Sequence, residues 1–131
     1  GAREIRLVNR TLDKARALAA EFGGGIVAHP WERRADTLDG AATLVNCTNQ
    51  GMVGKPALEI SLDALPRTAI VGDLIYTPPM TPLLAAAKAR GHVVVNGLGL
   101  LLNQARPAFQ AWFGVLPSIT PGLRRAIEAT F

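Results

Sequence analysis

The sequence of 131 residues is short of several features, and each shortage excludes a class of protein. A single cysteine, Cys47, cannot form an internal disulfide, so nothing points to an oxidising compartment. No apolar run approaches the roughly 20 residues that a membrane-spanning helix requires. The charged residues Arg3, Glu4 and Arg6 interrupt the opening residues, where a signal peptide would need an apolar stretch. We therefore expect a cytoplasmic protein without a membrane partner.

Aromatic residues are also scarce, at 5 % of the sequence, although the net charge is +4. The fourteen basic residues are scattered, and only the pairs Arg33-Arg34 and Arg124-Arg125 are adjacent. Nucleic-acid binding favours a basic stripe with interleaved aromatic residues, so we expect no nucleic-acid partner. The charge fits either an ordinary solvated surface or a preference for phosphorylated ligands. No His, Cys, Asp or Glu residues have the spacing of metal ligands, so we expect no metal.

What the chain does contain is a regular alternation of apolar runs and helical patterns, with a hydrophobic content of 49 %. This composition and order predict an α/β fold with a mainly parallel sheet of the Rossmann-like, doubly wound type. The length suits a single domain. The predicted strands are Ile5–Asn9, Gly25–His29, Thr43–Cys47, Thr68–Leu74 and His92–Val95. The predicted helices are Thr11–Phe22, a short one at Arg34–Leu38, Pro82–Arg90 after a Thr81 cap, Leu100–Phe113 and Pro121–Thr130.

A dinucleotide-binding fold normally begins with a strand, a Gly-x-Gly-x-x-Gly turn and a helix, and this chain has no such turn. Gly23-Gly24-Gly25 follows a helix and is interpreted as its cap. If Ile5–Asn9 is the second strand of a Rossmann sheet, the central first strand is missing, and Ile5–Asn9 and Thr43–Cys47 each lack a neighbour. We therefore predict a fragment of a longer chain, or a chain completed by another. Direct pairing of those two strands would overturn this prediction.

A cation stands at the carboxyl end of the first strand, where open α/β sheets bind their ligands. Arg10 lies between Asn9 and Thr11, and Lys14 adds a second cation one turn into the following helix. NAD-dependent enzymes generally place a carboxylate at this point, whereas an arginine suits the 2′-phosphate of NADP. From these four residues alone, an NADP site and an ordinary surface turn are both open.

Four segments, in order along the chain, resemble the shikimate dehydrogenase family. Asn9–Ala15 resembles its Asn-Arg-Thr-x-x-Lys/Arg-Ala segment, and Asn46–Met52 resembles its Asn-Ala/Cys-Thr-Ser-x-Gly-Met loop. Asp73–Leu83 resembles its Asp-x-x-Tyr-x-Pro…Thr-Pro-Leu block, and Asn96–Ala105 resembles Asp-Gly-Leu-Gly-Met-Leu-x-x-Gln-Ala. Together the four segments cover nearly the whole chain. The resemblance implies that residues 1–131 are one partial NADP-binding domain with carboxyl-terminal helices, and that an amino-terminal substrate domain is absent.

The resemblance also implies roles for individual residues. The adenosine 2′-phosphate end of NADP would be bound by Asn9, Arg10, Thr11 and Lys14. The rest of the cofactor site would comprise Thr48, Asn49, Leu74, Gly97 and Leu100, the last three near the nicotinamide. Shikimate or 3-dehydroshikimate would be reached by Tyr76 and Gln104. The catalytic lysine and aspartate of the family belong to the amino-terminal domain, so we expect no catalytic residue in this chain and little or no turnover by it alone.

Three departures from the family pattern accompany the resemblance: Asn49 replaces serine, Asn96 replaces aspartate and Leu100 replaces methionine. The function expected is NADPH-dependent reduction of 3-dehydroshikimate to shikimate in aromatic amino-acid biosynthesis. The alternatives are a quinate/shikimate dehydrogenase relative, another NADP reductase such as a glutamyl-tRNA reductase, and a non-catalytic NADP-binding or assembly module. The partners expected are the small-molecule substrate and the missing domain or a companion chain, and a homo-oligomer is left open.

Overall fold

The computed structural model describes residues 1–130. The helices and strands follow the predicted order along the chain. The strands are β1 (Ile5–Asn9), β2 (Ile26–Pro30), β3 (Thr43–Asn46), β4 (Ile70–Asp73) and β5 (Val93–Val95), and all their pairings are parallel. The helices are α1 (Leu12–Phe22), α2 (Pro82–Ala89), α3 (Leu98–Phe113) and α4 (Pro121–Glu128). The α/β class with parallel strands is therefore confirmed.

Two of the predicted helices differ from the structure. The predicted helix at Arg34–Leu38 is instead a pair of single 3₁₀ turns, Trp31–Arg33 and Asp36–Leu38. The helix α3 begins two residues earlier than predicted, because the Asn96 side-chain oxygen accepts a hydrogen bond from the backbone N–H of Leu98 (3.3 Å). That bond satisfies a donor which the first turn of a helix otherwise leaves unpaired.

The chain forms two compact units, of which the first comprises Gly1–Ala42 and Glu59–Pro66. Its sheet contains β1 and β2 in parallel register, with Ile5 opposite Ile26. The helix α1 packs against both strands, and its Ala15 is fully buried. The helix ends where Gly23, at a φ of 58°, donates its N–H to the Ala19 carbonyl oxygen. Gly23-Gly24-Gly25 thus ends a helix, as the sequence predicts.

The second unit comprises Thr43–Leu58 and the residues from Arg67 onward. Its sheet has the order β3-β4-β5, and α2 packs against β4 and β5. Because side chains alternate across a strand, one set of strand residues is covered and the other is not. Val71 is completely buried on the covered face, whereas Val45, Val93 and Val95 on the other face are 49, 65 and 53 % exposed. This sheet therefore has an apolar face that the described residues leave open.

The strand pairs are β1 with β2, β3 with β4, and β4 with β5, so the strands form two sheets instead of the single sheet expected. Within residues 1–130, β1 and β3 each keep one edge without a strand partner. These are the two strands that the sequence places beside the missing central strand, and they are not paired with each other. Direct pairing of β1 with β3 would have overturned the prediction of a fragment, and the structure does not have it. That the chain is a fragment stays a prediction.

Two of the predicted strands are one residue shorter in the structure. His92 precedes β5 and is only 5 % exposed, and its Nδ1 lies 3.2 Å from the carbonyl oxygen of Ala69. Cys47 follows β3 and is exposed. No helix within residues 1–130 has both the length and the apolar character to cross a membrane.

Candidate cofactor and substrate site

The turn between β1 and α1 carries two exposed cations, Arg10 and Lys14. Arg10 follows β1 directly, and neither the Arg10 guanidinium nor the Lys14 ammonium forms a hydrogen bond or ion pair with any described residue. Arg16, farther along the same helix, pairs instead with Asp13 at 3.2 Å. Arg10 and Lys14 are thus cations whose charge is not compensated locally, as a site for an anion requires.

The first turn of α1 leaves additional donors available at the same place. Thr11 is the N-cap residue of α1, but its side chain makes no capping hydrogen bond. The Asn9 side-chain N–H donates to the Thr11 carbonyl oxygen (2.9 Å), which shapes the turn. The Thr11 hydroxyl and the uncapped N–H groups therefore supply neutral donors beside the two cations.

Thr48 and Asn49 lie in the loop that follows β3, and the Thr48 side chain is held by the end of that strand. The Asn46 side-chain oxygen accepts from both the Thr48 N–H (3.0 Å) and the Thr48 hydroxyl (2.8 Å). The Thr48 hydroxyl in turn accepts from the Gln50 N–H (3.1 Å). Asn49 is exposed at the tip of the loop. The contact of these two residues with a cofactor stays a prediction.

Leu74 and Gly97, the residues expected beside a nicotinamide, are brought together by the structure. A Cβ added to Gly97 would lie 1.9 Å from the Leu74 carbonyl oxygen, so only glycine fits without moving the backbone. The Gly97 N–H donates to the carbonyl oxygen of Ile75 (3.0 Å), which ties the two segments. The Leu74 side chain is 40 % exposed and is therefore accessible to a ligand.

The helix α3 extends the same surface toward the expected substrate residues. Positions 97, 100 and 104 share one helix face, because residues three and four apart are neighbours on a helix. Leu100 is 49 % exposed, and the exposed Gln104 side chain has no partner among residues 1–130. Tyr76, 36 % exposed, lies two residues after Leu74 in the loop between β4 and α2. A joint contact of Tyr76 and Gln104 with a substrate stays a prediction.

The sequence interpretation missed a buried carboxylate at the centre of these loops. Asp73, at the end of β4, is 2 % exposed and accepts hydrogen bonds from the Asn46 amide (3.1 Å), the Ile75 N–H (3.1 Å) and the Thr81 hydroxyl (2.7 Å). Asn46 is directly opposite Asp73 in the parallel register of β3 and β4. The sequence signal for this contact was a polar residue at the end of each of the two apolar strands. The sequence does not show the strand register that places these two residues opposite each other.

Asn96, one of the departures from the family pattern, uses both ends of its amide. Its nitrogen donates to the Pro79 carbonyl oxygen (3.1 Å), and its oxygen accepts from the Leu98 N–H (3.3 Å). An ionised aspartate could accept from Leu98 but could not donate to Pro79. The two hydrogen bonds of Asn96 therefore connect the loop before α2 to the start of α3.

The thiol of Cys47 lies close to this network. Cys47 is an exposed residue, but partial burial of its thiol, and secondly the negative charge of Asp73, raise the pKa of Cys47 above its ordinary value. The protonated thiol is a poor nucleophile, so Cys47 has no sign of an activated, catalytic cysteine. Within residues 1–130, no group of three His, Cys, Asp or Glu side chains is arranged to hold a metal ion.

Comparison with known proteins gives close relatives by sequence and by structure, although no protein-family model matches the chain. The shikimate dehydrogenase (NADP(+)) of Dinoroseobacter shibae is 56 % identical over 129 residues, which are 98 % of this chain and 46 % of that protein. That of Paracoccus denitrificans is 50 % identical over the same shares. The chain thus spans about half the length of the curated relatives it matches, in their carboxyl-terminal half.

Solved structures of similar proteins have the same fold. A quinate dehydrogenase from Corynebacterium glutamicum in complex with NAD superimposes with a TM-score of 0.87 at 27 % identity, over 98 % of this chain and 47 % of that one. A shikimate 5-dehydrogenase from Thermus thermophilus in complex with NADP(H) and shikimate gives a TM-score of 0.81 at 34 % identity, over 98 % and 46 %. The Rossmann-like fold class expected from the sequence is thereby confirmed.

Proposed function

Because the chain belongs to the shikimate dehydrogenase family, we propose that it is the NADP-binding part of an enzyme that reduces 3-dehydroshikimate to shikimate. The observation that carries this proposal is the pair of uncompensated cations, Arg10 and Lys14, at the carboxyl end of β1. An arginine at that point suits the 2′-phosphate that distinguishes NADP from NAD. NADPH, when bound, supplies the hydride for the reduction.

The residues of the two units have different tasks in this proposal. In the first unit, Arg10 binds the 2′-phosphate, with Asn9, Thr11 and Lys14 around it. In the second unit, Thr48 and Asn49 lie along the cofactor. The three residues assigned to the nicotinamide end are Leu74, Gly97 and Leu100. The exposed apolar side chains of Leu74 and Leu100 would cover this end of the cofactor and keep water from the reacting atoms.

Tyr76 and Gln104 orient the substrate. The amide of Gln104 can both donate and accept, and this matches the hydroxyl groups of a polyhydroxylated ring acid. No residue of this chain transfers the hydroxyl proton, because the lysine and aspartate that do so in the family belong to its amino-terminal domain. We therefore expect this chain by itself to give little or no turnover. An ordinary enzymatic rate from the chain alone would contradict this assignment.

The cofactor assignment is tested by titrating NADP and NAD against the protein and its Arg10→Ala variant. We expect NADP to bind about 10- to 100-fold more weakly to the variant, since a hydrogen bond to a charged group is worth about 1.5–3 kcal/mol. The affinity for NAD should be nearly unchanged. Arg16→Ala is the matched control, because Arg16 lies on the same helix but already pairs with Asp13. Equal NADP affinity in Arg10→Ala and the parent protein would refute the assignment.

A quinate-using enzyme is the second candidate, because a solved quinate dehydrogenase is similar in structure over nearly the whole chain. NAD preference usually goes with an acidic residue near the position of Arg10, and Asn9 and Thr11 beside it are neutral. Oxidation of quinate with NAD, compared with oxidation of shikimate with NADP, distinguishes the two candidates. Assembly with the missing domain or a companion chain, a homo-oligomeric state and a cytoplasmic location are further parts of the proposal.

A further inference from the structure

Asp73 is the point at which three segments of the second unit are joined. One carboxylate oxygen, Oδ1, accepts from the Asn46 amide and from the Ile75 N–H, and the other, Oδ2, accepts from the Thr81 hydroxyl. Asp73, Asn46 and Thr81 are at most 3 % exposed. Buried hydrogen bonds to a charged group are stronger than neutral ones, and therefore hold their partners firmly.

The segments held by Asp73 are those that carry the proposed ligand contacts. Through Asn46, which also donates to the Gln50 carbonyl oxygen (3.1 Å), the carboxylate fixes the loop that contains Thr48. Through Ile75 at one end and Thr81 at the other, it fixes both ends of the segment that contains Tyr76. Thr81 also caps α2 by accepting from the Leu84 N–H (3.3 Å).

We propose that Asp73 is a positioning residue that holds Tyr76 in place for the substrate through Thr81, and the Thr48 loop in place for the cofactor through Asn46. The inference rests on the proposed function for the identity of the two ligands. The division follows from the two oxygens: Oδ2 serves only the substrate segment, whereas Oδ1 binds both Asn46 and the start of that segment.

Replacing the carboxylate by an amide separates the two links. In Asp73→Asn the amide oxygen is best placed at Oδ1, where it keeps two hydrogen bonds, and its NH₂ then faces Thr81. That NH₂ can donate to the Thr81 oxygen, but the Thr81 hydroxyl proton loses its charged acceptor, so Asp73→Asn should weaken the link that Thr81→Val removes. Thr81→Ser keeps both bonds of the hydroxyl and should restore the parent behaviour.

The test uses the whole enzyme of which we propose this chain to be a part, because a KM requires turnover, with 3-dehydroshikimate and NADPH as ligands. For Thr81→Val we expect the KM for 3-dehydroshikimate to rise about tenfold, which corresponds to about 1.4 kcal/mol, and for Asp73→Asn we expect a smaller rise, while the Kd for NADPH changes less than about twofold in both variants. The double variant should show no larger KM change than Thr81→Val alone, because both substitutions act on the same link. Thr120→Val is the matched control: Thr120 caps α4 in the same way but bonds no carboxylate.

Amide hydrogen exchange measures the same links without any ligand. Exchange of residues 75–81 should accelerate in Asp73→Asn and Thr81→Val, and should stay at the parent rate in Thr81→Ser and Thr120→Val. If the parent protein failed to bind NADPH, the proposed function would be wrong, whereas faster exchange of residues 75–81 in Asp73→Asn and Thr81→Val would still support the positioning role. Unchanged exchange in residues 75–81, or lower thermal stability without a change in the KM, would overturn it.

Discussion

Replacing Gly97 by alanine should lower the stability of the protein, whereas the same replacement at Gly99, two residues farther along, should not. The backbone of Gly97 is in the ordinary right-handed helical region, with φ −71° and ψ −9°, so alanine meets no conformational penalty there. The added Cβ would instead lie 1.9 Å from the Leu74 carbonyl oxygen and 2.4 Å from its carbon. A carbon and a carbonyl oxygen normally approach to about 3.3 Å, so the two segments must separate by roughly 1.4 Å.

That separation also breaks the hydrogen bond from the Gly97 N–H to Ile75, which is 3.0 Å long. Overpacking costs about 1–3 kcal/mol and the lost hydrogen bond about 1 kcal/mol, so we expect a loss of about 2–4 kcal/mol in the free energy of unfolding. For a chain of this length the loss corresponds to a fall of roughly 5–15 °C in the Tm. Because Leu74 moves as well, the affinity for NADPH should fall.

Gly99→Ala is the matched comparison, since a Cβ there meets nothing within 4 Å. Alanine is favoured over glycine inside a helix, so this variant should gain about 0.5–1 kcal/mol and melt a few degrees higher. Thermal and urea unfolding of both variants, followed by circular dichroism, measure the difference. A Gly97→Ala protein that melts within a degree or two of the parent would refute the close approach of Gly97 and Leu74.

Two further predictions concern single side chains. Because the pKa of Cys47 is raised, the folded state binds the thiol proton more tightly than the unfolded state does. The protonated thiol therefore stabilises the fold below the ordinary thiol pKa, and this contribution is lost as the pH rises through the raised value. Cys47→Ser should make the fall of the Tm at alkaline pH less steep, and an equally steep fall would contradict this cause. Thr120→Ala should lower the free energy of unfolding by about 1 kcal/mol because its hydroxyl caps α4, whereas Thr11→Ala should cost little because the Thr11 hydroxyl caps nothing. Urea unfolding compares the two, and equal losses would contradict the capping assignment.

Local chemistry was predictable from the sequence where it depends on neighbours along the chain. Thr81 followed by Pro82 predicts the start of α2, and the Thr81 hydroxyl caps it. The glycines after Phe22 predict the end of α1, which Gly23 closes. Thr11 has the same local chemistry as Thr81 but makes no cap. Two threonines that each precede a helix thus differ in their capping bond, and the local sequence pattern does not determine which of them forms it.

Contacts between distant segments were not predictable in the same way. Asn46 and Asp73 are 27 residues apart, and they meet only because β3 and β4 pair in a register that places them opposite each other. The closeness of Leu74 and Gly97 depends likewise on the exact path of two loops. The sequence shows only that Asn46 and Asp73 are polar residues at the ends of apolar strands and that Gly97 is a glycine before a helix. Which residue each of them contacts depends on tertiary packing.

The two parts of the candidate site differ in how firmly the protein holds them, and this difference predicts how substitutions act. Arg10 is exposed and bonds no described residue, so it acts through its charge and should affect ligand affinity with little effect on stability. The loops after β3 and β4 are tied by the buried carboxylate of Asp73 and by the close packing at Gly97. Substitutions there alter the arrangement of the site and the stability of the fold together, because the same buried contacts serve both.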